Sequence, residues 1–409
     1  MEHSVQQTRT SNTIIILFLL FLDKMCYYGI RSMIILYLIS DVFQVSDFHA
    51  ISVYKYLTYF FILTQIIGGI FGDFVVDNKK AIFIGSLLAV LGCVNACIPN
   101  LRLFYIGLVL VIIGSGFLKT NMLAAFGKNF YNHQKYLDTA FSFYYLVVNI
   151  GALAASILFP IISNKYGFIV GFGTIGIAYI SIALISLALN LGKEKLVYDT
   201  QKVSENAIVY VIIAIFLSAF FWGIYELAGT RTGIILSNEN LINGMNTIFP
   251  MERIHELNFF ILVPMLILGG ILWLKFHRLQ FLKIGFGFLF ATLAILQLTY
   301  ISFENIESNV FHIMSSICFF ALAEIFVGPI IMSTITRYTN PKYLTIIMAV
   351  YGGASLSIVY AFSPINEFIN DKSEFFTYIA LILAAAIAIL LFLAVFLREK
   401  YLKKSIVKQ

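Results

Sequence analysis

Six ionisable side chains lie inside apolar stretches of this chain. Asp23, Lys24 and Arg31 interrupt "FLDKMCYYGIRSMIILYLI", Lys119 interrupts "GSGFLKTNMLAAFG", and Glu226 and Glu324 close "FFWGIYE" and open "EIFVGPI". A charge at the centre of a lipid-facing helix costs about 2.5–3.5 kcal/mol on insertion scales. Such residues must therefore face protein or a water-filled cavity. Buried cations need anions, and Asp23, Glu226 and Glu324 are the buried acids available. On a helix, Lys24, Tyr27 or Tyr28, and Arg31 fall on one face. Arg31 is too far from either end of its apolar run for its side chain to reach the headgroups, as Lys55 can near a run's end.

The elements that carry these residues follow from hydropathy. The chain has 409 residues, of which 60% are hydrophobic and 12% charged, and its mean hydropathy is +0.91. A soluble domain of this size could not bury so much apolar surface. Apolar runs long enough to span a bilayer fall at 13–40, 50–73, 81–98, 103–127, 139–162, 168–192, 207–230, 256–275, 283–302, 310–335, 343–363 and 374–397, twelve in all. The first run has no small-residue cleavage site after it and is expected to remain as a span. The expected class is an all-α membrane protein of twelve transmembrane helices.

Positive charge is distributed by side. Lys79, Lys80, Lys128, Lys193, Arg278, Arg337 and "REKYLKK" at 398–404 mark one face, and the opposite loops hold Arg102, Lys165, Arg231, Arg253 and Lys372. Both termini are expected in the cytoplasm. The longest polar stretch, "KEKLVYDTQKVSEN" at 193–206, divides the chain into an amino-terminal six-helix bundle (1–192) and a carboxy-terminal one with its tail (207–409). That pattern suggests a transporter of two parallel repeats with a site near midplane. Arg31 and Glu226 take corresponding places in the first span of each half, and Lys119 and Glu324 in the fourth, so one half offers base where the other offers acid.

No phosphate-binding loop, His-Glu-x-x-His motif or Gly-x-Ser-x-Gly elbow occurs, and the six histidines show no metal-ligand spacing. An enzyme, an ATP-driven pump and a metal site are not expected. No cofactor or nucleic-acid partner is expected either. The four cysteines all fall inside spans and read as packing residues.

Several stretches, in order, resemble the proton-dependent oligopeptide transporters of the major facilitator superfamily. "DKMCYYGIR" is similar to that family's first-span motif, and "GGIFGDF" to the superfamily's Gly-rich turn, with Asp73 as the matching acid. "GSGFLKTNMLAAFGKNF" and "FSFYYLVVNIGAL" resemble the two family signatures, and "FFWGIYE", "LNFFILVP" and "AEIFVGPI" look like further landmarks. The resemblance implies the superfamily fold of two six-helix bundles and import of di- and tripeptides by alternating access, coupled to inward proton movement.

Carried over by position, the resemblance gives Arg31 and Lys119 to the substrate carboxylate and Glu324 to its amino group. Asn149 and Asn258 would bond the peptide backbone or termini, and Tyr27, Tyr28 and Trp222 would line or gate the pocket. Glu226 would pair with Arg31 and exchange the proton, with Asp23 and Lys24 in the same coupling group. Gly68, Gly69, Asp73, Pro264 and Pro329 would serve structure and gating. The chemistry suits a zwitterion. A guanidinium fork matches a carboxylate, and an environment-tuned carboxyl can trade a proton near neutral pH.

Some positions depart from the family pattern. The first family acid falls on Leu20, so one titratable carboxylate is absent, and the signature proline is Thr120. A pocket tyrosine is replaced by Ile62, and Leu227 follows Glu226 where the family often has Gln. Protons are the expected coupling ion, a short peptide the substrate, lipid the surroundings, and a monomer in a bacterial inner membrane the working form. The alternatives are a weakly proton-coupled peptide carrier, a related secondary transporter for an amino acid, nitrate or a drug, and an intramembrane enzyme or non-transporting receptor.

Overall fold

The computed structural model describes residues 2–191, 207–236, 245–246, 254–301, 306–369 and 373–406, and the connecting stretch 193–206 lies outside them. Among the described residues the regular structure is entirely helical. The first half supplies α1 (Glu2–Ile39), α2 (Asp47–Ile70), α3 (Asn78–Ala96), α4 (Leu101–Phe130), α5 (Leu137–Tyr166) and α6 (Phe168–Ser186). The second supplies α7 (Ala207–Leu236), α8 (Ile254–Lys275), α9 (Gln280–Thr299), α10 (Ile306–Tyr338), α11 (Leu344–Ile369) and α12 (Ser373–Ile406).

Ten stretches among the described residues are long and apolar enough to cross a membrane, and one of them, Leu101–Tyr166, holds both α4 and α5. Large apolar side chains such as Phe216, Leu390 and Phe396 are exposed along the helices, as lipid-facing surfaces require. The chain is an integral membrane protein.

Helix limits follow local chemistry. α1 starts well before the expected apolar edge at 13, because no Gly or Pro interrupts residues 2–28. Thr10 and Thr13 donate to the Gln6 and Arg9 carbonyls at 3.0 and 2.8 Å, satisfying their hydroxyls within the helix. α6 stops at Ser186, short of the expected 192. There the chain turns back, and the Asn190 backbone N–H donates to Asn12 Oδ1 at 3.1 Å on the polar extension of α1. Asp77 and Asn100 cap α3 and α4, each side-chain oxygen accepting first-turn N–H groups. Pro264 and Pro329 lie inside α8 and α10, and both helices continue past them.

Contacts gather the chain into two compact units. Unit 1 comprises Met1–Leu137, Tyr144–Val211 and Ile335–Gly353, and unit 2 comprises Asp138–Phe143, Ile212–Thr334 and Ala354–Gln409. Each unit thus includes a short segment from the other half of the sequence: the start of α5 belongs with unit 2, and the end of α10 and start of α11 belong with unit 1.

Candidate functional site

Unit 1 collects the cations. On α1, Asp23 and Lys24 are buried to 1% and 7% exposure, and the Lys24 ammonium donates to Asp23 Oδ2 at 2.9 Å. The other Asp23 oxygen, Oδ1, is buried without a hydrogen-bond partner. One turn on, Tyr27 stacks on Phe61 of α2 with ring centroids 4.9 Å apart. Lys24 and Arg31 lie over the Tyr27 ring at 5.8 and 5.6 Å. This is the single face that the spacing predicts, and the cations use the ring's electron-rich face. Arg31 Nε donates to the Tyr54 hydroxyl at 2.6 Å. Tyr28 stands edge-on to Tyr27 and is 36% exposed.

Lys119 projects from α4 toward the same group. Its ammonium lies 5.3 Å from the Phe61 ring centre, and Lys24, Asp23 and Arg31 are the charges that act on it. Within unit 1 it makes no hydrogen bond or ion pair. Gln65 of α2 is fully buried, and its Oε1 has no partner. Gly352 of α11 stands beside both, since a Cβ there would meet Gln65 Oε1 at 2.7 Å and Lys119 Nζ at 3.7 Å. Asn149 of α5 donates from Nδ2 to its own helix, at the Tyr145 carbonyl (2.8 Å). Leu20, at the family's acidic position, is fully buried.

A second polar cluster in unit 1 surrounds Asp73. α2 ends in one widened π turn, Phe71–Val75, that carries this residue. The Asp73 carboxylate is fully buried and pairs with Lys128 of α4 at 3.2 Å. It also accepts from the Thr345 hydroxyl (2.5 Å) and the Ile346 N–H (2.9 Å) at the start of α11, where the helix offers unpaired N–H groups and a positive dipole end. Lys128 donates onward to Asn78 Oδ1 at 2.8 Å. Asn78 in turn donates to Asn121 Oδ1 and Thr345 Oγ1 at 2.8 and 2.9 Å. Gly68 and Gly69 permit this packing: a Cβ on Gly68 would lie 2.8 Å from the Phe117 Cα of α4, and one on Gly69 would lie 2.9 Å from the Ala349 Cβ of α11.

Unit 2 holds two of the three buried acids that the sequence marks, Glu226 and Glu324. Glu324 on α10 is 4% exposed, and the Tyr225 hydroxyl of α7 hydrogen-bonds it. Glu226, the next residue on α7, is half-buried, and its carboxylate has no hydrogen bond or ion pair within unit 2. Trp222 packs edge-on against Phe221 and Tyr225 at 5.4 and 5.5 Å. Asn258 lies on α8, and its Oδ1 is buried without a partner.

Unit 2 also holds an ion pair that sequence reasoning missed. Asp138, in the first turn of α5, is fully buried and pairs with Lys283 of α9 at 2.5 Å. Ser333 of α10 donates to its other oxygen, and Gln280 Nε2 lies 3.5 Å from the first. The Lys283 ammonium sits 4.5 Å above the Trp273 ring. Both ionisable residues flank apolar runs, where charges ordinarily face headgroups and water. The available signal was their opposite sign at two span edges.

Residues 79–221 match the model of the POT family. An uncharacterized transporter of Bacillus subtilis, YclF, is 30% identical over 181 residues, covering 42% of this chain and 36% of that protein. The dipeptide and tripeptide permease B of Aliivibrio fischeri is 26% identical over 200 residues, covering 47% of this chain and 39% of the permease. The matched stretches thus span well under half the length of these relatives. Among solved structures, a peptide transporter POT in complex with sulfate superposes with TM-score 0.61 at 18% identity, covering 96% of this chain and 98% of that one. The major facilitator superfamily transporter FucP superposes with TM-score 0.70 at 15% identity, covering 94% and 99%. Over residues 79–221, which include the stretches at 114–130 and 141–153, the chain is thus similar to the POT family, and its fold is that of the POT and major facilitator structures it superposes on.

Proposed function

We propose that the protein is a secondary active transporter that imports di- and tripeptides together with protons. The chain crosses the membrane twelve times as two six-helix bundles, 1–192 and 207–409, with both termini in the cytoplasm of a bacterial cell and the inner membrane as its site. The two bundles alternate access by rocking, and the monomer is the working unit. Lys119 and Arg31 hold the peptide carboxylate. Glu324 and Asn258 hold the amino end, Asn149 bonds the peptide backbone, and Tyr27, Tyr28 and Trp222 shape the pocket. Glu226 takes up and releases the proton, and Asp23 and Lys24 tune the cation group of unit 1.

The observation that carries this reading is the charge balance around Lys119. Lys24, Arg31 and Lys119 share one region with Asp23, whose own partner is Lys24. An ammonium in low dielectric without an anion is costly. A carboxylate arriving with the substrate removes that cost. The names of relatives point the same way, since dipeptide and tripeptide permeases are among them.

The test is uptake of labelled dialanine by the purified protein in liposomes, with and without an acid-outside gradient. Gradient-stimulated, uphill uptake is expected, and Glu226→Gln is expected to lose the uphill component while retaining exchange of internal for external peptide. No uptake of any peptide would overturn the reading. Gradient-independent uptake would overturn the proton coupling, as would an uphill Glu226→Gln variant.

A further inference from the structure

Unit 1 holds a buried amide beside Lys119. Gln65 of α2 is fully buried, and its side-chain oxygen has no hydrogen-bond partner. A buried acceptor without a donor is destabilising, so this oxygen is set for a donor that moves to it. The nitrogen of the same amide is fixed. Nε2 donates to the Phe61 carbonyl, one turn earlier on α2, at 3.3 Å. That bond decides which way the amide faces: a flipped amide would set its oxygen against the Phe61 carbonyl oxygen, and neither can donate.

The oxygen is thereby held toward α11, where an ammonium and a gap adjoin it. A Cβ on Gly352 would lie 2.7 Å from Gln65 Oε1 and 3.7 Å from Lys119 Nζ. Both atoms border the same small space, which is open because residue 352 has no side chain. Lys119 reaches it from α4, with its ammonium 5.3 Å from the ring centre of Phe61. Phe61 and Gln65 are four residues apart on α2 and share a face. One face of α2 thus offers the ammonium an aromatic ring and, one turn on, an amide oxygen.

A lysine ammonium is a compact charge on a flexible stem, with three donors and no preferred direction of its own. A fixed acceptor beside it supplies direction. With one N–H on Gln65 Oε1 and the charge against the Phe61 ring, the remaining N–H groups are left for an anion that enters. The neutrality of the acceptor matters. A carboxylate at residue 65 would neutralise Lys119 permanently and compete with the arriving anion. An amide oxygen shares the ammonium without cancelling its charge.

We propose that Gln65 is a positioning residue for Lys119: its Oε1 accepts a hydrogen bond from the ammonium and so orients the other N–H groups toward the carboxylate of the substrate. Gly352 keeps the space for that bond. The inference rests on the peptide reading above, in which Lys119 holds that carboxylate, and deepens it.

The experiment measures competition of unlabelled Ala-Ala and of its carboxamide, which lacks the carboxylate, against labelled dialanine uptake in liposomes. Gln65→Met keeps an unbranched side chain of similar length and removes the acceptor. In it, Ala-Ala is expected to need about tenfold higher concentration and the carboxamide less than about twofold higher. Gly352→Ala, whose Cβ displaces Oε1 from the α11 side, is expected to weaken Ala-Ala with the same selectivity, and it stands in should Gln65→Met fail to fold. Gln65→Glu is expected to weaken Ala-Ala beyond Gln65→Met, because its carboxylate holds the ammonium and repels that of the substrate. In a Lys119→Met background, Gln65→Met is expected to add less than about twofold. An equal loss for Ala-Ala and the carboxamide, an unchanged Ala-Ala potency, or the full loss in the Lys119→Met background overturns the positioning role. Those outcomes leave the peptide reading standing. Absence of any dialanine uptake by the unmodified protein instead removes the peptide reading, and the role of Gln65 with it.

Discussion

The buried Asp138–Lys283 pair provides the strongest energetic test of the fold. The perturbation is Lys283→Met, which keeps an unbranched side chain of similar length and removes the charge. The Asp138 side chain is fully buried, and that of Lys283 is 7% exposed. By contrast, Lys80 and Asp77 form a 3.9 Å pair with side chains 69% and 60% exposed, the kind worth less than about 1 kcal/mol. Removing one partner of a buried pair leaves an uncompensated charge in low dielectric and costs about 3–5 kcal/mol. After Lys283→Met, the contacts that Asp138 keeps include the Ser333 hydroxyl and the more distant Gln280 amide, both neutral donors. The loss is therefore expected within that range.

Asp138→Asn is expected to cost a similar amount by taking the carboxylate away from the ammonium that sits over Trp273. The double variant, Asp138→Asn with Lys283→Met, removes both charges and is expected within about 1–2 kcal/mol of the unmodified protein. The double-mutant cycle should then give a coupling of at least about 3 kcal/mol. Equilibrium unfolding in mixed micelles, followed by tryptophan fluorescence, measures it, with Trp273 at the pair as a local reporter. Two single variants that each cost less than about 1 kcal/mol, and add in the double, would refute the claim that this pair is desolvated and tied.

Three further outcomes are expected. Asp73→Asn removes the charged acceptor of the Ile346 amide, so hydrogen exchange at that amide should accelerate by roughly 10–100-fold; unchanged protection would show that the carboxylate does not hold the start of α11. Gly72→Ala drives a Cβ into the Asn121 side chain, which is itself fixed by bonds to the Gly68 and Phe117 carbonyls. A loss of about 1–3 kcal/mol is expected in the same unfolding assay, and a neutral result would place that contact elsewhere. Lys119→Met should raise stability by removing a buried ammonium that makes no ion pair within unit 1, while lifting the dialanine KM by more than about tenfold. A variant that is less stable, or that transports normally, would count against the role of Lys119.

Much of the helical framework was legible, because apolar runs of bilayer length have few other uses. The face shared by Lys24, Tyr27 and Arg31 was also legible, since i, i+3 and i+7 positions coincide on any helix. What sequence could not show were partners fixed by tertiary packing. Lys128 reads as one of many cytoplasmic positive charges, yet its ammonium bonds Asp73 and Asn78. Asn121 reads as part of a signature, yet it works as a joint between α2, α3 and α4. Asp138 and Lys283 are 145 residues apart, and no local pattern links them. Asn149, expected to meet substrate, bonds its own helix through Nδ2 in a pattern open to any mid-helix Asn. The extension of α1 was missed for a different reason: hydropathy locates what must avoid water, and a polar helix in water leaves no such mark.

The exchange of short segments between the two units bears on how the protein is made. Asp73 and the Thr345 hydroxyl that it accepts from are 272 residues apart. At about 5–20 residues per second, a ribosome needs roughly 15–55 s to deliver the second after the first. During that interval the nascent amino-terminal helices stand in the bilayer with their α11 contact still missing, while Lys128, only 55 residues on from Asp73, is already there as an interim counter-charge. A chain synthesised vectorially can thus keep this buried acid neutralised from early on and close the long-range joint later.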